Sequence, residues 1–259
     1  MSLLRAHSWL WHYLWLVPNV LVFTLGVLLW RRGLHKQYPA FTAFAILSAT
    51  GQLIVYAADL SPLVSADNFW RVYCANLVFE GILKALLVAE IFAHTVGAFS
   101  SIARVGKMLI RAAGAILVLA ATFAAAYSPG DSHVAIVSEA HLLEQSIFLI
   151  ETGLLVFIFL FSAHFRLRMP RQVLGIALGL AISACVHLAG WAYIANVAPS
   201  EEIRHLIDYG KEAVFQGCIL LWFYYLLVPQ KEVATLAVPP PDHHNLEVWN
   251  QELERLLHS

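Results

Sequence analysis

The sequence predicts an all-α membrane protein: a polytopic bundle of seven transmembrane helices, N-terminus outside and C-terminus cytoplasmic, with a short C-terminal amphipathic helix. Three observations predict it. Of 259 residues, 60% are hydrophobic and only 13% are charged, about half the charged share of a soluble domain. Seven apolar stretches approach or exceed the roughly 20 residues that cross a hydrocarbon core. Basic and acidic residues alternate between successive connections, as they do when Lys and Arg stay cytoplasmic. The formal net charge of −1 excludes a polybasic nucleic-acid binder, which needs clustered cations to displace counterions from phosphate.

The first span covers residues 10–30 and is followed by Arg31, Arg32 and Lys36. That order is the reverse of a secretory signal peptide, whose basic residues precede the apolar run. The later spans fall at 38–60, 69–98, 107–127, 140–165, 172–198 and 203–228. The third and fifth exceed what the bilayer requires and are expected to tilt or project. The fourth, rich in Ala and nearly free of polar groups, is expected at the periphery. Arg104, Lys107 and Arg111 separate the third span from the fourth, and Arg166, Arg168 and Arg171 the fifth from the sixth. The alternate connections carry Asp59, Asp67, Asp131, Glu139, Glu201 and Glu202. Trp9, Trp11, Trp70 and Trp191 are expected at the outer interface, and Trp30, Tyr224 and Tyr225 at the inner one.

After the seventh span, a Pro-rich linker over 229–244 contains Pro239, Pro240 and Pro241. Residues 245–259 then place Leu246, Trp249, Leu253, Leu256 and Leu257 on one face at helical spacing. Glu247, Glu252 and Glu254 make this helix acidic. An anionic leaflet attracts basic segments, so the helix is expected to pack on a cytoplasmic protein partner. Cys74, Cys185 and Cys218 lie in apolar stretches without metal or haem spacing and read as small buried hydrophobes.

Charged side chains inside spans are costly in lipid and are functional candidates for that reason. On the third span, Tyr73, Asn76, Glu80, Lys84, Glu90 and His94 fall within an arc of about 120°. Glu80 and Lys84 form an i, i+4 pair in the favourable order, and an acid on another span is a second possible partner for Lys84. Glu90 and His94 lie deeper and are a candidate inner pair. The fifth span aligns His141, Glu144, Glu151 and Ser162. The seventh clusters Asp208, Lys211, Glu212 and Gln216, and the second Ser48, Gln52, Tyr56 and Asp59. The first offers His12 and Asn19, and the sixth Ser183 and His187. Gly175 and Gly179 form a GxxxG seam for close helix packing.

At 1.5 Å per residue, the stripes converge on an outward-facing polar cavity. Its expected ligand-binding residues are Gln52, Tyr56, Asn76, Glu80, Lys84, His141, Glu144, Glu151, His187, Asp208, Lys211 and Glu212. Lys211 lies in the outer half beside Asp208 and Glu212, so it reads as an ion-paired residue rather than the midplane lysine a retinal protein would need. Carboxylates outnumber ammonium groups, and such an excess needs protons or a cation as counter-charge in low dielectric. Glu144, Glu151, His141 and His187 are candidate ligands for a metal, since carboxylate with imidazole suits iron, zinc or manganese. No HExxH or GxSxG motif accompanies them.

Arg31-Arg32-Gly33-Leu34-His35-Lys36-Gln37-Tyr38-Pro39, Phe157 to Ser162, Gly175-Ile176-Ala177-Leu178-Gly179 and Trp249-Asn250-Gln251-Glu252-Leu253 carry a resemblance. Over most of its length the chain resembles uncharacterised bacterial seven-transmembrane-helix membrane proteins. These are distantly similar in layout to the seven-span input modules of bacterial sensor kinases. The resemblance implies a multi-pass inner-membrane fold with a sensing role and brings no catalytic residue with it. The expectation is a sensor or receptor-like protein that binds a small polar or cationic ligand and contacts a cytoplasmic partner. The alternatives are an intramembrane metal- or cofactor-dependent enzyme and a proton- or cation-coupled transporter.

Overall fold

The computed structural model describes residues 8–96, 108, 110–112, 114–116, 118, 135–167, 169–197 and 200–228. All its regular elements are helical: α1 (Trp9–Arg31), α2 (Pro39–Leu60), α3 (Ala66–Val96), α4 (Ala135–His164), α5 (Arg171–Val197) and α6 (Glu201–Leu227). They correspond to the first, second, third, fifth, sixth and seventh expected spans. The fourth, at 107–127, lies largely outside the described residues. The linker at 229–244 and the helix at 245–259 lie wholly outside them. The described residues up to Leu227 belong to one compact unit.

Helices α1 to α5 are each long and apolar enough to cross a membrane, and the chain is a membrane-embedded protein, all-helical among its described residues. Their outward faces expose Val20, Phe23, Ile54, Ile82, Leu86 and Leu160, surface that lipid accommodates and water does not. α6 matches them in length, but Asp208, Lys211 and Glu212 add charge to a first half that already carries Glu201, Glu202 and Arg204. Each described helix packs on the next, and α6 closes onto α1 to complete a ring. α3 also touches α5 across the interior.

Backbone chemistry fixes the chain reversals at one end of this ring. α1 stops where Gly33 takes a left-handed φ of 74°, a conformation that a Cβ disfavours. A single 3₁₀ turn over Leu34–Lys36 leads to Pro39 at the start of α2, a position where proline's missing N–H costs nothing. α2 has no capping side chain of its own at Tyr38. The cap comes instead from Glu90 of α3, whose two oxygens accept the Ala40 and Phe41 N–H groups at 2.9 and 3.0 Å. An anion there also suits the helix dipole. His94 Nε2 donates to the Gln37 carbonyl at 2.9 Å, and its ring lies 5.1 Å from that of Tyr38. The expected Glu90–His94 pairing is therefore corrected: each residue is committed to the α1–α2 connection. Arg32 reaches the Leu227 carbonyl at 3.0 Å, placing a cation on the C-terminal end of α6.

The same end holds a dry core. Leu25, Leu29, Phe41, Phe44, Leu87, Ile91, Leu155, Ile158, Ile176 and Trp222 are almost wholly buried together. Trp222 packs edge-on against Phe41, Phe44 and Phe215 and donates Nε1–H to the Ile176 carbonyl at 3.3 Å. The GxxxG of α5 makes this possible. A Cβ on Gly179 would overlap the Trp222 indole, and one on Gly175 the Tyr225 ring. The seam thus admits two aromatic rings from α6 rather than a second glycine face.

Two glycine substitutions should act in opposite directions. Gly179→Ala forces Trp222 to move within a packed core and should cost about 1–3 kcal/mol. Gly217→Ala meets nothing within 4 Å and should be neutral or stabilise by up to ~1 kcal/mol through helix propensity. Thermal unfolding of both variants in detergent checks the contrast, and equal midpoints would contradict the packing described.

Candidate functional site

The opposite end of the ring is not filled. A cavity of about 270 Å³ lies among all six described helices. α1 contributes Trp11, Leu14, Trp15 and Asn19, and α2 contributes Ser48 and Gln52. α3 supplies Tyr73, Leu77, Glu80 and Lys84 at helical spacings of three and four. Glu144, Ile147 and Phe148 come from α4, Ser183 and His187 from α5, and Asp208, Tyr209, Glu212 and Phe215 from α6.

Lys84 is the most constrained group in the wall. It is 8% exposed, and its Nζ lies 3.1 Å from Glu151 and 3.4 Å from Glu80. The question of its partner resolves to both acids, one on its own helix and one on α4. The ammonium also sits 4.1 Å from the centre of the Phe148 ring, where the π face favours a cation. Gln52 Nε2 donates to the second oxygen of Glu80 at 3.0 Å, so the pair is tied to α2 as well. Phe148 also stacks on His187, with ring centres 4.3 Å apart. His187 Nδ1 donates to the Ser183 carbonyl at 2.9 Å.

A second ion pair stands on α6, where Lys211 Nζ lies 2.8 Å from Asp208. Lys211 is buried and covers the Trp191 ring at 4.7 Å. Gly190 leaves room for its methylenes, since a Cβ there would come within 3.2 Å of Lys211 Cδ. Two carboxylates remain. Glu144 accepts the Tyr73 hydroxyl at 3.2 Å. Glu212 has no hydrogen bond or ion pair within 4 Å among the described residues. Five carboxylates thus surround two ammonium groups, and each ammonium already touches an acid.

Of the expected ligand-binding residues, Gln52, Glu80, Lys84, Glu144, His187, Asp208 and Glu212 form the wall. Five lie behind it. Glu151 is buried on Lys84, and Lys211 is buried between Asp208 and Trp191. Asn76 packs on α2 at Gly51, whose absent Cβ its side-chain oxygen replaces. Tyr56 turns to α1, where its hydroxyl meets His12 Nδ1 at 2.9 Å among the Trp11 and Trp15 rings. His141 lies beside the rings of Trp191 and Trp70. Trp191, expected at the outer interface, is 9% exposed and serves this interior instead. Trp11 likewise faces the cavity. The candidate metal ligands Glu144, Glu151, His141 and His187 are not gathered into one set: among the described residues no three His, Cys, Asp or Glu side chains could hold an ion together.

The wall residues that sequence reasoning left out are of two kinds. Asn19, Ser48, Tyr73 and Ser183 already stood on the polar stripes, so the signal was present. Trp11, Leu14, Trp15, Leu77, Ile147 and Phe215 give no such signal, because a residue facing a cavity and one facing lipid are equally apolar in sequence. Phe148 could be inferred from its place four residues after Glu144 and three before Glu151, on the same helical face.

No family model, curated protein or solved structure matches the chain.

The electrostatics of the cavity predict its reagent preference. In a variant with Cys74, Cys185 and Cys218 replaced, Ser48→Cys in the wall should react with a trimethylammonium methanethiosulfonate about tenfold or more faster than with the sulfonate analogue, since an acid-lined cleft concentrates cations. Ala177→Cys, in the dry core, should react with neither. Mass spectrometry over a time course reads the rates, and a faster sulfonate reaction would contradict the charge distribution.

Proposed function

We propose that the chain is a seven-span sensor or receptor-like protein of the bacterial inner membrane, with its N-terminus outside and its C-terminus cytoplasmic. In this reading the cavity opens outward and binds a small polar or cationic ligand. The helix at 245–259 meets a cytoplasmic protein partner. The observation that carries the reading is the cavity itself, a partly aromatic space whose wall carries four carboxylates, Glu80, Glu144, Asp208 and Glu212, against one lysine, Lys84, that is already paired. Such a wall offers negative potential and π faces together, the combination that favours cations. Its size is at the low end of small-molecule pockets.

Two features support the orientation. Arg31, Arg32, Lys36, Arg166 and Arg171 adjoin the ends of α1, α4 and α5 nearest the dry core, and short basic connections stay cytoplasmic. The cavity lies toward the other ends of the same helices. The two paired lysines also favour binding over catalysis, because each is held by an acid and neither is free to act as a base.

A thermal-shift panel on the full chain in detergent tests the ligand class, using small neutral, cationic and anionic solutes of matched size. The reading predicts that cationic members, or neutral polar ones, raise the midpoint and that anionic members do not. It also predicts that Glu144→Gln and Glu212→Gln weaken the cationic effect. A panel in which no solute stabilises, or only anions do, would contradict it. Fusion of alkaline phosphatase after Leu227 should give an inactive reporter, and an active one would reverse the orientation.

A further inference from the structure

The cavity wall is unbalanced in hydrogen-bonding type as well as in charge. Its strong donors are in use: Lys84 on Glu80 and Glu151, Gln52 Nε2 on Glu80, and Asn19 Nδ2 on the Trp15 carbonyl. Its acceptors are not. His187 is only 9% exposed. A carbonyl can only accept, so the contact with Ser183 fixes the hydrogen on Nδ1. In the neutral ring this leaves Nε2 as a lone-pair acceptor. Nδ1 is tied back to its own helix, so the opposite edge of the ring is the one that can face the cavity. Among the described residues Nε2 has no partner, nor has the Glu212 carboxylate, and Glu144 holds one hydroxyl. These acceptors line the cavity, and a ligand that brings donors into it can pair with them.

We propose that the cavity is an amine site. It takes a small protonated primary or secondary amine, whose N–H groups are shared among His187 Nε2, Glu212 and Glu144 and whose organic body lies against Trp11, Trp15 and Phe215. The proposal rests on the ligand-binding reading above and narrows its ligand class. A bare metal ion would leave the apolar wall unused, and no metal-ligand set converges there among the described residues. A quaternary ammonium would satisfy the charge and the π faces but would bring no N–H to His187 or to either carboxylate. An amine supplies all three needs with one head group, and charge-assisted hydrogen bonds are about twice as strong as neutral ones.

The experiment is a calorimetric titration of the full chain in detergent with a matched series: 2-phenylethylamine, its N-methyl and N,N,N-trimethyl derivatives, and 2-phenylethanol. The primary and secondary amines should bind at least tenfold more tightly than the trimethylammonium compound and the alcohol. His187→Phe keeps a ring for Phe148 and removes the acceptor. It should weaken 2-phenylethylamine about tenfold while leaving the trimethylammonium compound unchanged. The unmodified chain alone decides the main comparison if that variant fails to fold. Equal or tighter binding of the trimethylammonium compound would overturn the amine site yet leave a cation receptor standing. Binding by no member of the series would also overturn it, and the broader solute panel would then decide separately whether the cavity binds any ligand.

Discussion

An ammonium group removed from water needs a counter-charge within a few ångströms, and Lys84 has two, Glu80 and Glu151. Continuum reasoning makes such a cluster a doubtful source of net stability, but a strong constraint: losing one member strands the others in low dielectric. The geometry of the bundle follows from this. Glu151 joins α4 to α3, Gln52 joins α2 to the same acid pair, and Phe148 passes the contact to His187 on α5. Lys84 also marks a boundary. Leu87, Leu155, Ile158 and Leu180 close the bundle on one side of it, while Glu80, Glu144 and Glu212 line open space on the other.

The two ends of the ring are therefore built on different physics. At one end, large aromatic and branched side chains fill the interior, and glycines are placed where Trp222 and Tyr225 need volume. Connections there are held by backbone caps and by Glu90, His94 and Arg32, each bonded to main-chain atoms. At the other end the links between helices run from side chain to side chain, Gln52 to Glu80, Lys84 to Glu151 and Tyr73 to Glu144, and acceptors are left over. A rigid floor beneath an under-bonded cavity is the arrangement expected of a binding site, whose unmet hydrogen-bonding capacity is available to a ligand.

Much of this was legible in the sequence because lipid penalises charge. A Glu or Lys within a span must face inward, so helical spacing alone placed Glu80, Lys84, Glu144 and Glu212 on converging faces. The span limits at 30 and 38 follow from hydropathy alone and fall within one residue of the α1 end at Arg31 and the α2 start at Pro39. Depth and rotation were less legible. Sequence places His141, Tyr56 and Asn76 on the right helices, but a rotation of a few tens of degrees carries them behind the wall to Trp191, His12 and Gly51. Aromatic residues were read least well. Trp191 and Trp11 have the composition of an interfacial belt, and only the packing shows that one covers Lys211 and the other lines the cavity. The partners of Glu90 were invisible for a different reason: they are backbone N–H groups, which leave no mark in residue identity.

Lys84 shared between helices is the link on which the bundle depends, and a double-mutant cycle between Lys84→Met and Glu151→Gln, read by unfolding in detergent, tests it most directly. Lys84→Met should cost about 3–5 kcal/mol by stranding Glu151 in the interior, and Glu151→Gln less, because Glu80 still faces Lys84. The pair together should cost clearly less than the sum, because the second change removes the charge that the first left alone. Strictly additive losses would contradict the shared ion pair and, with it, the floor on which the cavity is built.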